Sequence, residues 1–201
     1  MAEATASLMN AFNLINQKFY NGELEKPIIT IKEGAKKNAY GWIEVNKNWK
    51  QGKEKRHEIN ISGDFLDRPV NEIISTLMHE MSHLYCIMNN IKDTTRANIY
   101  HNKKFKEVAE AHGLNVRYNE HIGYSLTSLQ ETTAKWVNEN ISIKSFEICK
   151  QRKEATDKGR TAKPKQSTRK YICPSCGLIV RATKDCKIAC IDCNEKMILE
   201  S

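Results

Sequence analysis

Apolar residues near the start of the chain recur every three or four places. Leu8, Met9, Phe12, Ile15 and Phe19 share one helical face, and "YNGEL" at 20–24 interrupts the run, which predicts a first helix. Three shorter segments follow: "PIITIK" (27–32), "AYGWIEV" (39–45) and "HEINIS" (57–62). They are rich in β-branched and aromatic residues, are separated by Gly, Asn and Lys clusters, and predict three strands of a small sheet. After Pro69 the 3.6 period returns: Ile73, Ile74, Leu77, Met81, Leu84 and Met88 predict a long amphipathic helix over roughly 70–90. "KKFKEVAEAHG" (103–113) predicts a third helix that Gly113 closes. The stretch from Leu126 to Cys149 is expected to begin as helix, in "TSLQETTAKWV".

Beyond that point the pattern stops. From Gln151 to Arg169 nothing is more apolar than Ala apart from Pro164, so the segment cannot bury enough surface to offset its ordering entropy. The 201 residues therefore divide into an expected domain over 1–149, a flexible linker over 150–170 and a small module over 171–201. The element order makes the fold α+β: a small sheet plus helices, then a cysteine-rich module.

Charge follows the same division. The net +8 is concentrated in residues 150–170, which hold nine Lys/Arg and two Asp/Glu, whereas residues 1–149 hold 19 basic and 18 acidic groups. The basic residues of the linker, Lys150, Arg152, Lys153, Lys158, Arg160, Lys163, Lys165, Arg169 and Lys170, are candidate contacts to nucleic-acid phosphates. Such contacts are weak and carry little sequence preference. The bland alternative is a charged linker that merely stays solvated. No run approaches 18 apolar residues, so no membrane span is expected. The first 20 residues lack a basic region leading into an apolar segment, which makes a cytoplasmic location the expectation.

Cysteines cluster as well. Cys173, Cys176, Cys186, Cys190 and Cys193 crowd the last 30 residues, and two C-x-x-C pairs are separated by 13 residues. Four thiolates at that spacing suit one tetrahedral structural zinc held by Cys173, Cys176, Cys190 and Cys193, and leave Cys186 spare. A segment this short has little core of its own, so metal binding would supply most of its stability.

The chemistry of the larger domain centres on "LMHEMSHLYC", residues 77–86. His79 and His83 lie four apart on a helix, so their rings share a face one turn apart and can reach one ion. Glu80 is rotated about 100° round the axis. That puts it in place to handle protons instead of binding the metal. The H-E-x-x-H pattern also occurs by chance in helices; "HEIN" at 57–60 starts the same way and has Ile61 where a second His would stand. A third ligand must come from elsewhere. Position 86 is Cys and position 89 Asn, which excludes the longer metzincin motif, and no cysteine precedes the helix as a deformylase-type site would require. Glu107, Glu110 and Glu120 are candidates, as are His101 and His112; His112 stands at a helix end where it is better suited to capping carbonyls. Cys86 is expected in the core.

Taken in order, "FNLINQKFYNGELEKPIITI", "AYGWIEV", "INISGDFL", "IISTLMHEMSHLY" and "YHNKKF" resemble the SprT-like domain of bacterial SprT proteins and eukaryotic Spartan proteases, over roughly residues 8–125. The resemblance implies a zincin-like zinc metallopeptidase in which His79, His83 and His101 bind a catalytic zinc and Glu80 is the catalyst. It also implies a following zinc ribbon and protein substrates trapped on DNA. Asn102 stands where the family commonly has Gly after the third His, which a left-handed loop conformation would accommodate. The 83–101 spacer is long enough for "NNIKDTTRANIY" to form a flap. The expected function is a zinc endopeptidase directed to DNA-bound proteins. The alternatives are a non-catalytic zinc-containing binding module and a general peptidase without a DNA link.

Overall fold

The computed structural model describes residues 2–33, 39–96, 98–142 and 169–200, and the chain divides into two compact units, Met1–Lys158 and Gly159–Ser201. In the first unit, α1 (Ala2–Phe19) buries Leu8, Ala11, Phe12 and Ile15 along one face, the spacing that a helix laid on a core requires. It stops at "YNGEL" for a local reason. Asn21 and Gly22 take left-handed φ of 53° and 75°, and Gly22 N–H returns to the Asn16 carbonyl at 2.9 Å.

A three-stranded sheet follows, built from β1 (Ile28–Lys32), β2 (Gly41–Gln51) and β3 (Glu54–Ser62) in the order β1-β3-β2. The central strand β3 runs parallel to β1 and antiparallel to β2. Ile59 and Ile61 face the core. On the other face Glu58 is also buried, because its carboxylate accepts hydrogen bonds from Thr30 and Trp49 and pairs with Lys32. β2 lies at the sheet's edge and runs longer than its apolar core implied.

α2 (Val70–Met88) starts directly after Pro69, whose extended backbone precedes the first turn. Ile73, Ile74, Leu77, Met78, Met81 and Leu84 are fully buried in it. The helix packs against β2 and against a strand of a second sheet, β7 (Gly123–Leu129). That second sheet has the order β4-β5-β7-β6, from β4 (Thr94–Thr95), β5 (Tyr100–His101), β6 (Leu114–Asn119) and β7 (Gly123–Leu129), with α3 (Lys103–Ala111) between β5 and β6. Gly113, at φ 94°, follows α3 as expected; a side chain there would press to 2.6 Å from Thr133 Oγ1.

α4 (Glu131–Asn140) closes the described part of this unit and packs Trp136 edge-on to Phe19, with ring centroids 5.2 Å apart. Here the structure departs from the expected helix: residues 127–129 of "TSLQETTAKWV" are strand. Gln130 makes the break, its Nε2 donating to the Glu110 and Leu114 carbonyls. Residues 143–149 lie outside the described residues. No helix among the described residues is long and apolar enough to cross a membrane.

The second unit is a ribbon of short strands. β8 (Arg169–Ile172), β9 (Ile179–Ala182) and β12 (Ile198–Glu200) form a sheet in the order β12-β8-β9; β10 (Ala189–Cys190) pairs with β11 (Glu195–Lys196). Tyr171 and Met197 pack with Cys173 and Cys190 in a core far smaller than that of the first unit.

Candidate metal centre and catalytic site

His79 and His83 project from adjacent turns of α2, and His101 ends the two-residue strand β5. Their Nε2 atoms converge: 79 to 101 is 3.1 Å, 79 to 83 is 3.2 Å and 83 to 101 is 3.0 Å. Each opposite ring nitrogen is engaged separately. His83 Nδ1 meets the Asp93 carboxylate at 2.5 Å, His101 Nδ1 faces the Ile122 carbonyl at 3.3 Å, and His79 Nδ1 faces Thr127 Oγ1 at 3.3 Å. Because the Asp93 and Ile122 oxygens only accept, Nδ1 is the protonated nitrogen of His83 and His101, and their Nε2 lone pairs point inward.

The donor set therefore fits a zinc ion. Three lone pairs held this close repel one another unless a cation lies among them. Three corners of a tetrahedron with bonds of about 2.0–2.1 Å place nitrogens roughly 3.3 Å apart, close to what is found. Protonation is also disfavoured. Burial, then the neighbouring imidazoles, holds His79 well below its ordinary pKa and His101 down to about 4, so both are neutral, as ligands must be. For Asp93, burial pushes the carboxyl pKa up, but the His83 bond outweighs it and holds the group below the usual range.

Phe105, fully buried on α3, forms the floor. Its ring centroid lies 4.6 Å from those of His79 and His83 and 4.7 Å from that of His101. Truncating a buried Phe costs about 3–5 kcal/mol; here it would also remove the surface on which all three rings pack. Glu80 is buried on α2, and its Oε1 lies only 3.2 Å from where a Cβ on Gly41 would stand. The same Cβ would meet the Asn60 carbonyl at 2.9 Å, so glycine is what lets the first residue of β2 lie against the carboxylate. Gly123 does the equivalent for β5. It has φ 71°, pairs with His101, and a side chain there would collide with the His101 carbonyl.

The other candidates separate cleanly. His112 caps α3, its Nδ1 donating to the Val108 carbonyl at 2.7 Å, and stacks on Tyr20. Glu107, Glu110 and Glu120 are not in the imidazole cluster. Cys86 is fully buried. Asn102 does not adopt the left-handed conformation suggested by its replacing Gly. Its φ is −93°, it caps α3 by accepting from Lys104 and Phe105 N–H, and it donates to the Lys92 carbonyl. The expected flap is a β4–β5 hairpin in which Thr94 pairs with His101. Asp93, just before it, was not foreseen from the sequence. Its only signal is a lone acid in "NNIKDTTRANIY", and nothing local says that it folds back on a residue ten places earlier. Thr127, Gly41 and Gly123 were missed in the same way, whereas Phe105 closes the "YHNKKF" that carries part of the family resemblance. Asp93→Ala is expected to weaken metal binding by about 10- to 100-fold, measured by competition with a chromophoric chelator. Wild-type affinity in that variant would reduce Asp93 to a bystander.

In the ribbon, the sulfurs of Cys173, Cys176, Cys190 and Cys193 lie within 4.8 Å of one another. Cys176 and Cys190 are 3.7 Å apart. That is far beyond a disulfide bond and close to the spacing, about 3.8 Å, of thiolates around one zinc. The first knuckle turns on Gly177 (φ 72°), and the second on Asn194 (φ 51°). Backbone N–H groups, that of Cys176 foremost, lower the Cys173 thiol to about 7. Cys186 is exposed and outside the cluster; its N–H donates to the Tyr171 hydroxyl. Of the basic residues assigned to the linker, Lys150, Arg152, Lys153, Lys158, Arg160, Lys163 and Lys165 lie outside the described residues. Arg169 and Lys170 are in β8, where they pair with Asp185 and Glu200.

Comparison with curated proteins and with solved structures found no match. A family model described as "SprT-like family" matches residues 8–135, more than half of the chain and the whole of the imidazole site. Three converging imidazoles, a buried glutamate beside the first of them and a second four-thiol cluster are what a metal-dependent protease with a zinc ribbon requires, and with that match the chain belongs to the SprT-like family.

Proposed function

We propose that the protein is a zinc endopeptidase acting on proteins bound or crosslinked to nucleic acid. The convergence of the three Nε2 atoms with Glu80 on the same helix carries the protease part. His79, His83 and His101 would hold the catalytic zinc, and Cys173, Cys176, Cys190 and Cys193 a structural one. A zinc bound by imidazoles polarises a peptide carbonyl and brings water towards neutral acidity. Glu80 accepts a proton from the attacking water and returns it to the departing amine. Its burial against the Gly41 backbone keeps the carboxylate in one orientation. Asp93 and Ile122 hold His83 and His101 in one tautomer, and together with Thr127 they fix the orientation of the three rings.

The nucleic-acid part is supported by the local charge of residues 150–170, nine basic against two acidic, next to a metal-pinned ribbon. A polycationic segment binds phosphates without regard to sequence and raises the local concentration of whatever protein is attached to them. Cleavage of a basic protein is therefore expected to rise when single-stranded DNA is added to the full chain. It should lose that stimulation when residues 150–201 are removed. Equal cleavage with and without DNA, read on a gel time course, would leave a general peptidase.

A further inference from the structure

The second sheet has two faces of unlike character. On β7, Thr127 reaches His79 and Leu129 packs into the core, so these odd positions face α2. The even positions face away, and Leu126 there is 41% exposed. Leu126 pairs with Arg117 of β6, whose side chain shares that outer face.

Three tyrosines line up beside these positions. The Tyr100 and Tyr118 hydroxyls are 3.1 Å apart, and the Tyr118 and Tyr124 rings meet edge to face at 5.2 Å. A cation sits at each end of the row. The Arg96 guanidinium lies 4.7 Å from the Tyr100 ring centroid, and Lys106 Nζ lies 5.5 Å from that of Tyr124. Tyr118, in the middle, is 53% exposed. The acids near the row are Glu120, beside Tyr118, and Glu110, whose contact to Lys106 is a long 3.8 Å at the surface. Such a pair is weak and gives way to a phosphate.

We propose that this outer face is a platform for single-stranded nucleic acid, with Tyr118 stacking a base and Arg96 and Lys106 taking the flanking phosphates. The proposal rests on the nucleic-acid part of the function above and adds a contact within the metallopeptidase domain itself. Rings that stack on any base, bracketed by cations, are the chemistry of sequence-tolerant single-strand binding. The hydroxyl bond to Tyr100 holds Tyr118 in place, so little freedom remains to be lost when a base stacks. Tyr100 immediately precedes His101, so this face is the reverse side of the strand that carries the third imidazole.

Anisotropy of a labelled oligothymidylate of about 20 nucleotides, titrated with the full chain, tests this. Tyr118→Ala is expected to weaken binding roughly tenfold, and Tyr118→Trp to hold it near wild type. Arg96→Ala should reduce the salt slope by about one. Tyr118→Trp and Arg96→Ala alter exposed side chains and keep the test decisive if the alanine variant folds poorly. If Tyr118→Ala and Arg96→Ala bind as wild type while removal of 150–201 abolishes binding, the platform is wrong and the DNA-directed reading stands. If the wild type binds no oligonucleotide, both fall. If the variants raise KM for a DNA-free protein and leave oligonucleotide binding intact, the face is a peptide subsite and the proposal fails.

Discussion

Glu80→Gln is expected to cut proteolysis by about 10²- to 10⁴-fold while leaving metal content and melting temperature nearly unchanged. Glutamine has the same shape, so it can keep its place against Gly41 and cause no clash. It lacks the basic oxygen that takes the water's proton. None of the three converging nitrogens belongs to residue 80, so the imidazole cluster is untouched. Single-turnover cleavage of an unfolded protein, alongside metal analysis of the same sample, separates this outcome from loss of the metal. Full activity in the variant would remove Glu80 from the reaction and favour a non-catalytic role for the domain.

The second large effect is on metal content. The wild type is expected to bind about two zinc ions, and His101→Ala about one after dialysis against a moderate chelator. Two imidazoles on one helix are a weak site, and the third is what closes it. The converse variant, Cys190→Ser, should lose the other ion and with it most of the ribbon's order, because among the described residues that unit buries just Tyr171, Met197, Cys173 and Cys190, with Val180, Ala182 and Ile188 partly buried against them. Retention of two ions by His101→Ala would mean that another residue completes the cluster, and no carboxylate in the described structure lies there.

How much of this was legible follows from the range over which each signal acts. α2 and its H-E-x-x-H pattern could be read because both depend on a fixed helical repeat, and the C-x-x-C pairs because a knuckle is local. β6 and β7 could not. "LNVRYN" and "GYSLTSL" carry Asn, Arg, Ser and Thr at positions that face solvent or a ligand, and they are strands only because they pair with each other and with β5. Thr127 to Leu129 look like the opening of α4, since nothing nearby reveals that Gln130 is committed to carbonyls of α3 and β6. Asn102 shows the same limit from the other side. The substitution for Gly was visible, but its reason, a cap on α3, required the helix start to be placed in space. Asp93 depends wholly on a backbone reversal after α2.

That dependence on late pairing has a bearing on how the protein is made. Two imidazoles emerge on α2, but His101 is held by the Ile122 carbonyl and by pairing with Gly123, residues synthesised some twenty positions later. A nascent chain that has not yet extended to β7 holds all three imidazoles but lacks the carbonyl and the paired strand that orient His101. Assembly of the metal site is thus deferred until translation has delivered the strand that sets its third ligand.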